Sequence, residues 1–214
     1  MPEKGARVRL IRLAATHPDW VLGFEDESWF SRLARPKMHA WADAGRPLRL
    51  VEQLMPKDDP DPKALACYGL LLPWQPSQEP LKEEVWLRFV ESRPISGVTI
   101  AFLVWVCGKL EALGKKALLL VWDNASWHLS QEVKGWIKEH NRRVKGDGQG
   151  VRILPCPLPT KSPWLNPIEP RWIHAKRRVA EADRLLSGRE LAQRVCDDFG
   201  CAYEEHLALT EKVA

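Results

Sequence analysis

Residues 97–123 have the sequence GVTIAFLVWVCGKLEALGKKALLLVWD, and this stretch decides the fold class. Its apolar part at 97–113 is too long for a strand and predicts a buried helix, which Gly114 and the two lysines after it should end. Residues 117–122 are a short apolar run bounded by turn residues, as is typical of a central parallel strand. A helix followed directly by a buried strand predicts helices packed on a sheet that is at least partly parallel.

The residues upstream of this stretch predict antiparallel strands. Four segments have the apolar runs or partial alternation of strands, at residues 19–30, 49–53, 64–72 and 83–90. A turn-rich loop, MPKDDPDPK, separates the second from the third. These segments predict a meander that comes before the helix.

The downstream residues continue the alternation of helix and strand. We expect a polar helix at 130–143 with Ser130 as its N-cap, a loop at 145–150 and a short strand at 151–154. The prolines of residues 155–163 predict an extended connection. A helix is expected from Pro167 to about Glu181, and a last helix from Ser187 or Gly188.

The order of these elements predicts an α/β fold, a ribonuclease H-like mixed sheet flanked by helices. We divide the chain into a lead-in segment at 1–18, a ribonuclease H-like catalytic domain at 19–186, and a C-terminal helix at 187–214 that packs on the domain or trails it. No internal repeat or low-complexity tract interrupts the sequence.

The bulk properties exclude some classes of protein. The 214 residues contain no apolar run of membrane-spanning length and no secretory signal pattern, so we expect a cytoplasmic protein. The five cysteines form no C-x-x-C pair, which favours reduced and mostly buried thiols, with a structural zinc site as the alternative. A net charge of +4 permits binding to nucleic acid without establishing it.

Two aspartates stand at strand ends. Asp26 follows the apolar run of the first strand, and Asp123 follows the run at 117–122. Two neighbouring carboxylates repel each other unless a cation lies between them, and Mg²⁺ prefers such oxygen ligands. Side-chain alternation places Asp26 on the apolar face of its strand, whereas Glu25 and Glu27 should be solvated, with Glu27 as a fallback ligand.

Glu169 permits two interpretations. Asn166 is a good N-cap, Pro167 suits the first helical position, and Glu169 would then complete a capping box. Alternatively, Glu169 is a third metal ligand at a helix N-terminus, where anions such as phosphate are favoured.

Further residues near these acids are candidates for DNA contact. Asn124 could orient the substrate or could simply form a turn, and His128 could approach a phosphate or be an ordinary surface histidine. The chain has 11 tryptophans, of which Trp127, Trp164 and Trp172 flank the acids. These rings could stack on unpaired bases, although core packing is the more common role of tryptophan.

A basic stretch surrounds Glu169. Its members are Lys161, Arg171, Lys176, Arg177 and Arg178. Such a surface around one carboxylate suits a site that cuts a phosphate backbone. Among the polar residues near the acids, those predicted to contact nucleic acid are Asn124, His128, Lys161, Asn166, Arg171, Lys176 and Arg177.

Three blocks of this sequence resemble the catalytic blocks of DDE transposases of the mariner-like insertion-sequence group. They are FEDESWF at 24–30, VWDNASWH at 121–128 and LPTKSPWLNPIEPRW at 158–172, in that order. The third is the most specific, because its proline-rich approach, its S-P-x-L-N-P-I-E pattern and the basic helix after it rarely coincide by chance. The likeness extends from about residue 19 through the helix after Glu169.

The resemblance implies a ribonuclease H-like fold and two divalent metal ions, Mg²⁺ or alternatively Mn²⁺, held by Asp26, Asp123 and Glu169. It also implies cleavage of double-stranded DNA at transposon ends, joining to target DNA, and a homodimer when active. The interval from Asp123 to Glu169 is longer than is typical of the group, and we assign the excess to a loop at 141–150.

The group usually carries a helix-turn-helix region before the catalytic domain, and about twenty residues precede the first strand here. We therefore expect a split gene, a truncated remnant, or a separate helix-turn-helix chain as partner. Two other functions stay open: a ribonuclease H-like nuclease without strand transfer, and an inactive DNA-binding remnant.

Overall fold

The computed structural model describes residues 11–12, 14, 16–34, 53–73, 83–90, 93–160, 162–181 and 184–207. Within these ranges five strands form one sheet. They are β1 (Trp20–Ser31), β2 (Ala64–Leu72), β3 (Glu84–Val90), β4 (Ala117–Trp122) and β5 (Arg152–Pro157). Their order in the sheet is β3-β2-β1-β4-β5. The three strands from the first half of the chain pair antiparallel, and β4 and β5 add to β1 in parallel, so the predicted mixed sheet is confirmed.

Four α-helices of at least ten residues, within the part of the chain that the structure describes, cover the two faces of the sheet. They are α1 (Ser96–Ala112), α2 (Gln131–Asp147), α3 (Glu169–Arg178) and α4 (Gly188–Phe199). On one face, α1 and α2 pack on Leu118 and Leu120 of the fully buried strand β4. On the other face, α3 and α4 pack on Leu65 and Cys67 of β2. The successive residues of each strand alternate between these two layers.

Several sequence predictions agree with these elements. The buried helix at 97–113 is α1, and Gly114 follows it with a positive φ of 73°. Ser130 caps α2 by accepting a hydrogen bond from the Val133 N–H. Ser187 caps α4 in a capping box with Glu190.

Other boundaries were wrong. The helix expected to end at residue 143 continues to Asp147, where Gly148 ends it with a left-handed φ of 67°. The long interval between Asp123 and Glu169 therefore contains an extended helix, and only a short loop follows it. Strand β5 runs through Pro155 and Pro157, which were expected in a connection. Proline is tolerated there because β5 lies at the edge of the described sheet, where one side of the strand has no ladder.

Two predictions concern residues outside the described ranges. The strand expected at 49–53 falls there except for Gln53, and so does most of the lead-in segment at 1–18. The C-terminal helix does pack on the domain, because Leu191 and Val195 of α4 are buried in the layer that α3 also covers. Among the helices of the described residues, none has the length and apolar character needed to cross a membrane.

Candidate active site

The pairing of β1 with β4 brings two of the predicted acids together. The parallel register pairs Trp20 with Ala117 and continues to Phe24 opposite Val121. Asp26 and Asp123 each lie two residues beyond that last pair, and they are close enough for the charge of Asp123 to contribute to raising the pKa of Asp26. Strand β4 ends at Trp122, directly before Asp123, but β1 continues to Ser31 because its ladder with β2 continues to that residue. Asp26 therefore lies within its strand, and the prediction that it stands at a strand end was wrong.

Asp26 is buried and is held by a tryptophan of α3. Only 8% of Asp26 is exposed, and the Trp172 Nε1–H donates a 2.9 Å hydrogen bond to its Oδ2. Gly69 of β2 pairs with Asp26 across the sheet and makes room for the indole, because a Cβ atom there would lie 2.5 Å from a Trp172 ring carbon. Burial and the nearby carboxylates of Glu169 and Glu27 raise the pKa of Asp26 to about 8.

Glu169 is the first residue of α3 and is half-buried. Within the described residues the Glu169 side chain makes no hydrogen bond back to the Asn166 N–H, so the capping box that the sequence permits is not formed. Burial and the charge of Asp123 raise the pKa of Glu169, whereas Lys176 lowers it. The carboxylate therefore faces the second aspartate across the site and is not engaged by the helix terminus.

Asn166 makes two kinds of contact at the start of this helix. Its Oδ1 accepts a 3.4 Å hydrogen bond from the Ile168 N–H, as the side chain of the predicted N-cap would. The helix begins at Glu169, after Ile168, and Asn166 donates a 2.9 Å hydrogen bond from Nδ2 to the Glu25 carbonyl of β1. This contact joins the start of α3 to the strand that carries Asp26. A cavity of about 370 Å³ lies beside it, lined by Asp123, Asn124, Ala125, Leu158, Pro159, Thr160, Ser162, Asn166 and Glu169.

Asp123 is half exposed, and one of its oxygens is fixed by two donors. Its Oδ1 accepts a 2.8 Å hydrogen bond from the Ala125 N–H and a 2.9 Å hydrogen bond from His128 Nδ1. The hydrogen bond from His128 is the main reason why the pKa of Asp123 lies below its usual value. Asp123 is thus ionised beside two acids whose pKa values are raised.

His128 lies inside the protein among carboxylates. Its exposure is 1%, its ring stacks on Trp122 at 4.5 Å, and its Nε2 lies 3.1 Å from Glu27 Oε1. Burial lowers the pKa of His128, but the neighbouring Glu25, Asp123 and Glu27 outweigh it and raise the pKa to about 11. The structure does not favour direct contact of His128 with DNA, because both ring nitrogens already face carboxylates.

Glu25 and Glu27 are not solvated, so that prediction was wrong. Glu25 is 1% exposed, and the side chain of Glu27 is 7% exposed. The Trp127 indole N–H donates a 2.6 Å hydrogen bond to Glu27 Oε1. Glu25 Oε2 lies 3.2 Å from His128 Nε2, an ion-pair contact without hydrogen-bond geometry, and neither oxygen of Glu25 has a hydrogen-bond donor. Burial and the charge of Glu27 raise the pKa of Glu25 well above its usual value.

These two glutamates and His128 are a group that the sequence did not reveal. One ligand atom from each of the three lies within 4.8 Å of the others, close enough to hold a metal ion. The signal was present in part, since alternation put Glu25 and Glu27 on one face of β1. The side chain that covers that face is His128, about a hundred positions further along the sequence. Local patterning does not predict a contact over that separation.

The remaining candidates for DNA contact lie at different distances from the acids. Asn124 lines the cavity and donates a 2.6 Å hydrogen bond to the Leu158 carbonyl. Arg171 forms an ion pair with Glu83. Lys176 and Arg177 are exposed on α3. Lys161 lies outside the described residues.

The three tryptophans near the acids separate into different environments. Trp172 is buried at 2% exposure, and Trp127 is tied to Glu27. Trp164 is 74% exposed in the short 3-10 helix between Ser162 and Asn166, two residues that line the cavity. Of the three, Trp164 is the ring with a face open to a base, and base stacking by Trp164 stays a prediction.

Comparison with known families gives a match to the part of the chain that carries Asp123 and Glu169. Residues 87–192 match the family model described as DDE superfamily endonuclease. This part of the chain belongs to the DDE superfamily endonucleases. The matched range includes Asp123 and Glu169, whereas Asp26 lies outside it, on the strand β1 that pairs with β4.

Solved structures with the same fold are transposase complexes. The Mos1 transposase paired-end complex with left transposon end has a TM-score of 0.58 and 14% identity, covering 95% of this chain and 54% of that chain. The Mos1 strand transfer complex has a TM-score of 0.55 and 14% identity, and the match covers 94% of this chain and 52% of that chain. The Mos1 mariner paired-end complex with Mn also has a TM-score of 0.55 and 14% identity, and the match covers 92% of this chain and 52% of that chain.

At this identity the likeness establishes the ribonuclease H-like fold of the DDE endonuclease chain. The chain spans about half the length of the Mos1 chains that it matches. No curated protein matches the sequence.

Proposed function

We propose that this chain is a transposase catalytic domain that cleaves DNA strands at transposon ends and transfers them to target DNA. The acids are Asp26, Asp123 and Glu169. The observation that carries the proposal is their convergence from β1, the end of β4 and the start of α3, with burial and mutual repulsion raising the pKa of Asp26 and Glu169. Perturbed carboxylates grouped at one end of a sheet are typical of a functional site.

The donor set fits divalent cations. Asp26 is kept in a buried position among other carboxylates, an arrangement that is unfavourable when the site holds only anions. Carboxylate oxygens are the ligands that Mg²⁺ and Mn²⁺ prefer, and complexes of Mos1 are described with Mn and with Mg. A pair of such ions would activate the attacking oxygen and stabilise the leaving oxygen of an in-line displacement at phosphorus.

The side chains around the acids would control how each carboxylate is presented. Trp172 holds one oxygen of Asp26, and the Ala125 N–H with His128 holds one oxygen of Asp123. In each carboxylate the other oxygen stays available for a ligand. Glu169 stands at a helix start that Asn166 ties to β1, so its distance from Asp26 is set by the fold.

The expected partner is double-stranded DNA. The Mos1 structures that share the fold are complexes with a transposon end or after strand transfer, and this supports transposon ends and target DNA as substrates. A homodimer follows from the need to bring two ends together. A separate helix-turn-helix chain stays a proposed further partner.

A combined nicking and joining assay tests the proposal. The protein is incubated with supercoiled plasmid and a labelled duplex oligonucleotide with free 3′-OH ends, in Mg²⁺, in Mn²⁺ or in EDTA, with and without an added helix-turn-helix chain. We expect metal-dependent nicking and labelled plasmid, and we expect Asp123→Asn to abolish both by at least about 10³-fold, as in the loss of groups that act only in the transition state.

The controls separate the alternatives. Asp197→Asn removes an exposed acid of α4 and should leave the reaction unchanged. Nicking without joining would indicate a ribonuclease H-like nuclease, and DNA binding without either reaction would indicate an inactive remnant. Full activity of Asp123→Asn would contradict the assignment of the acids.

A further inference from the structure

We propose that His128 is a positioning residue that fixes Asp123. Glu25 and Glu27, on the face of β1 opposite to Asp26, in turn anchor His128. This inference rests on the proposed function, because Asp123 is taken as a metal ligand. The geometry that carries it is a continuous chain of contacts, from Glu25 and Glu27 through both ring nitrogens of His128 to one oxygen of Asp123.

The first step concerns the two oxygens of Asp123. Both of the hydrogen bonds that the carboxylate accepts, from Ala125 N at 2.8 Å and His128 Nδ1 at 2.9 Å, end on Oδ1. A carboxylate held by two donors on one oxygen cannot rotate without losing both. Oδ2 therefore keeps a defined direction and is left for a cation, although half of the side chain is open to solvent.

The second step concerns what holds His128. Its ring lies parallel to Trp122 with an interplanar angle of 11° and a centroid separation of 4.5 Å. Nε2 faces Glu27 Oε1 at 3.1 Å and Glu25 Oε2 at 3.2 Å, and Trp127 fixes Glu27 from the other side. The imidazole thus has no freedom to turn about its bond to the chain.

The third step is the cost of this arrangement. Glu25 is buried and neither of its oxygens has a hydrogen-bond donor, and a buried polar group without such a partner destabilises a fold relative to an apolar residue. A histidine that served packing alone would need one acceptor for its N–H group and no pair of buried glutamates. The second glutamate is accounted for if the ring must be held firmly enough to orient another carboxylate.

The three consecutive acids Glu25, Asp26 and Glu27 of β1 then have two different functions. Alternation sends Asp26 to the face covered by α3, where Trp172 holds it. The flanking glutamates point to the face covered by α1 and α2, where they hold His128. One short segment thus supplies one acid of the trio directly and positions a second through the ring. Groups that orient metal ligands typically contribute about 10–100-fold to metal affinity or activity.

The test compares two substitutions of the same ring by Mn²⁺ binding, measured by electron paramagnetic resonance on the full chain without DNA. Asparagine places an amide N–H near the position of Nδ1, and glutamine places one near the position of Nε2. We expect His128→Ala and His128→Gln to weaken Mn²⁺ binding about 10–100-fold. His128→Asn keeps the donor to Asp123 and should lose clearly less.

Matched controls separate orientation from stability. His140 also stacks on a tryptophan, Trp136, at 5.0 Å, and its Nε2 bonds to the Val151 carbonyl away from the acids. His140→Ala, His140→Asn and His140→Gln should therefore change the melting temperature without changing Mn²⁺ affinity. Melting curves of all variants identify those that fold. If His128→Ala unfolds, the test is the comparison of Mn²⁺ affinity between His128→Asn and His128→Gln.

The outcomes distinguish this inference from the proposed function. If Asp123→Asn binds Mn²⁺ as tightly as the unsubstituted protein, the assignment of the metal ligands fails. If Asp123→Asn loses Mn²⁺ but every His128 variant keeps it, the positioning role alone is overturned. Equal losses in His128→Asn and His128→Gln would likewise overturn it, because a merely structural ring would give that result.

Discussion

Asp26 is a carboxylic acid that the fold keeps at an unusual pKa. Burial and the neighbouring Glu169 and Glu27 raise that pKa from 3.8 to about 8. A group with a folded pKa above its unfolded pKa stabilises the fold below the unfolded value, and this contribution is lost as the pH rises through the folded value. Each pKa unit corresponds to about 1.4 kcal/mol, so the metal-free protein carries a penalty of several kcal/mol at alkaline pH.

We therefore predict that Asp26→Asn stabilises the metal-free protein in a pH-dependent way. The difference in free energy of unfolding between Asp26→Asn and the unsubstituted protein is measured by urea unfolding in EDTA. It should be small near about pH 5 and should grow until about pH 8, where it levels off. Adding Mg²⁺ should stabilise the unsubstituted protein more at the higher pH, because metal must displace the proton of Asp26. An advantage that stays constant from about pH 5 to about pH 8 would contradict this explanation.

At the scale of elements, the contact between β2 and α3 sets the position of Asp26. Gly69 lies opposite Asp26, and the ring of Trp172 occupies the space that a side chain would need. We predict that Gly69→Ala destabilises the fold by about 1–3 kcal/mol, the usual cost of overpacking. It should also weaken Mn²⁺ binding, because the displaced indole no longer holds Asp26. Urea unfolding and Mn²⁺ titration measure the two effects.

Gly135 supplies the matched control. It lies on the exposed side of α2, and a Cβ atom there meets nothing within 4 Å. Gly135→Ala should stabilise the protein by up to about 1 kcal/mol through helix propensity and should leave Mn²⁺ binding unchanged. Should Gly69→Ala behave like Gly135→Ala in both measurements, the fit of Trp172 against β2 would not be what positions Asp26.

The same elements show how far the sequence predicts this protein. Helix α1 and strand β4 followed from continuous apolar runs, and Asp123 does follow the end of β4. Asp26 was expected at a strand end as well, but it lies within β1, where pairing with β2 continues past it. Local rules were insufficient where tertiary contacts decide. Glu169 sits in a capping-box pattern of which only the Asn166 half is formed, and Asn166 also bonds to β1, a contact that the local sequence does not predict. Glu25 was expected in solvent because the residue that covers it is distant in the sequence.

For the molecule as a whole, the net charge of +4 conceals a separation of charge. Five carboxylates gather around the C-terminal end of β4, and His128 lies against three of them; the five are Glu25, Asp26, Glu27, Asp123 and Glu169. DNA is an anion and is repelled by such a site unless cations and nearby basic residues compensate. Helix α3 begins with Glu169 and carries basic residues in its last turn, of which Lys176 is near enough to lower the pKa of Glu169.

Three consecutive basic residues of α3 allow a direct test of which ones meet DNA. Lys176 and Arg177 are exposed, and within the described residues neither has an ion-pair partner within salt-bridge distance. Arg178 is also exposed but is engaged by Asp198, whose Oδ2 accepts a 2.7 Å hydrogen bond from its Nη2. We predict that Lys176→Gln and Arg177→Gln weaken binding to duplex DNA and lower the slope of log K against log salt by about 1 each.

Fluorescence anisotropy with a labelled duplex at several NaCl concentrations measures this slope, and Arg178→Gln is the control. Arg178 lies in the same helical turn and carries the same charge, so the three variants differ chiefly in whether the cation is already neutralised by the protein. A phosphate contact by Arg178 would first require loss of its pairing with Asp198, and we expect a smaller change in slope. An equal change in all three variants would mean that DNA responds to the total charge of α3, and the assignment of Lys176 and Arg177 as phosphate contacts would then be abandoned.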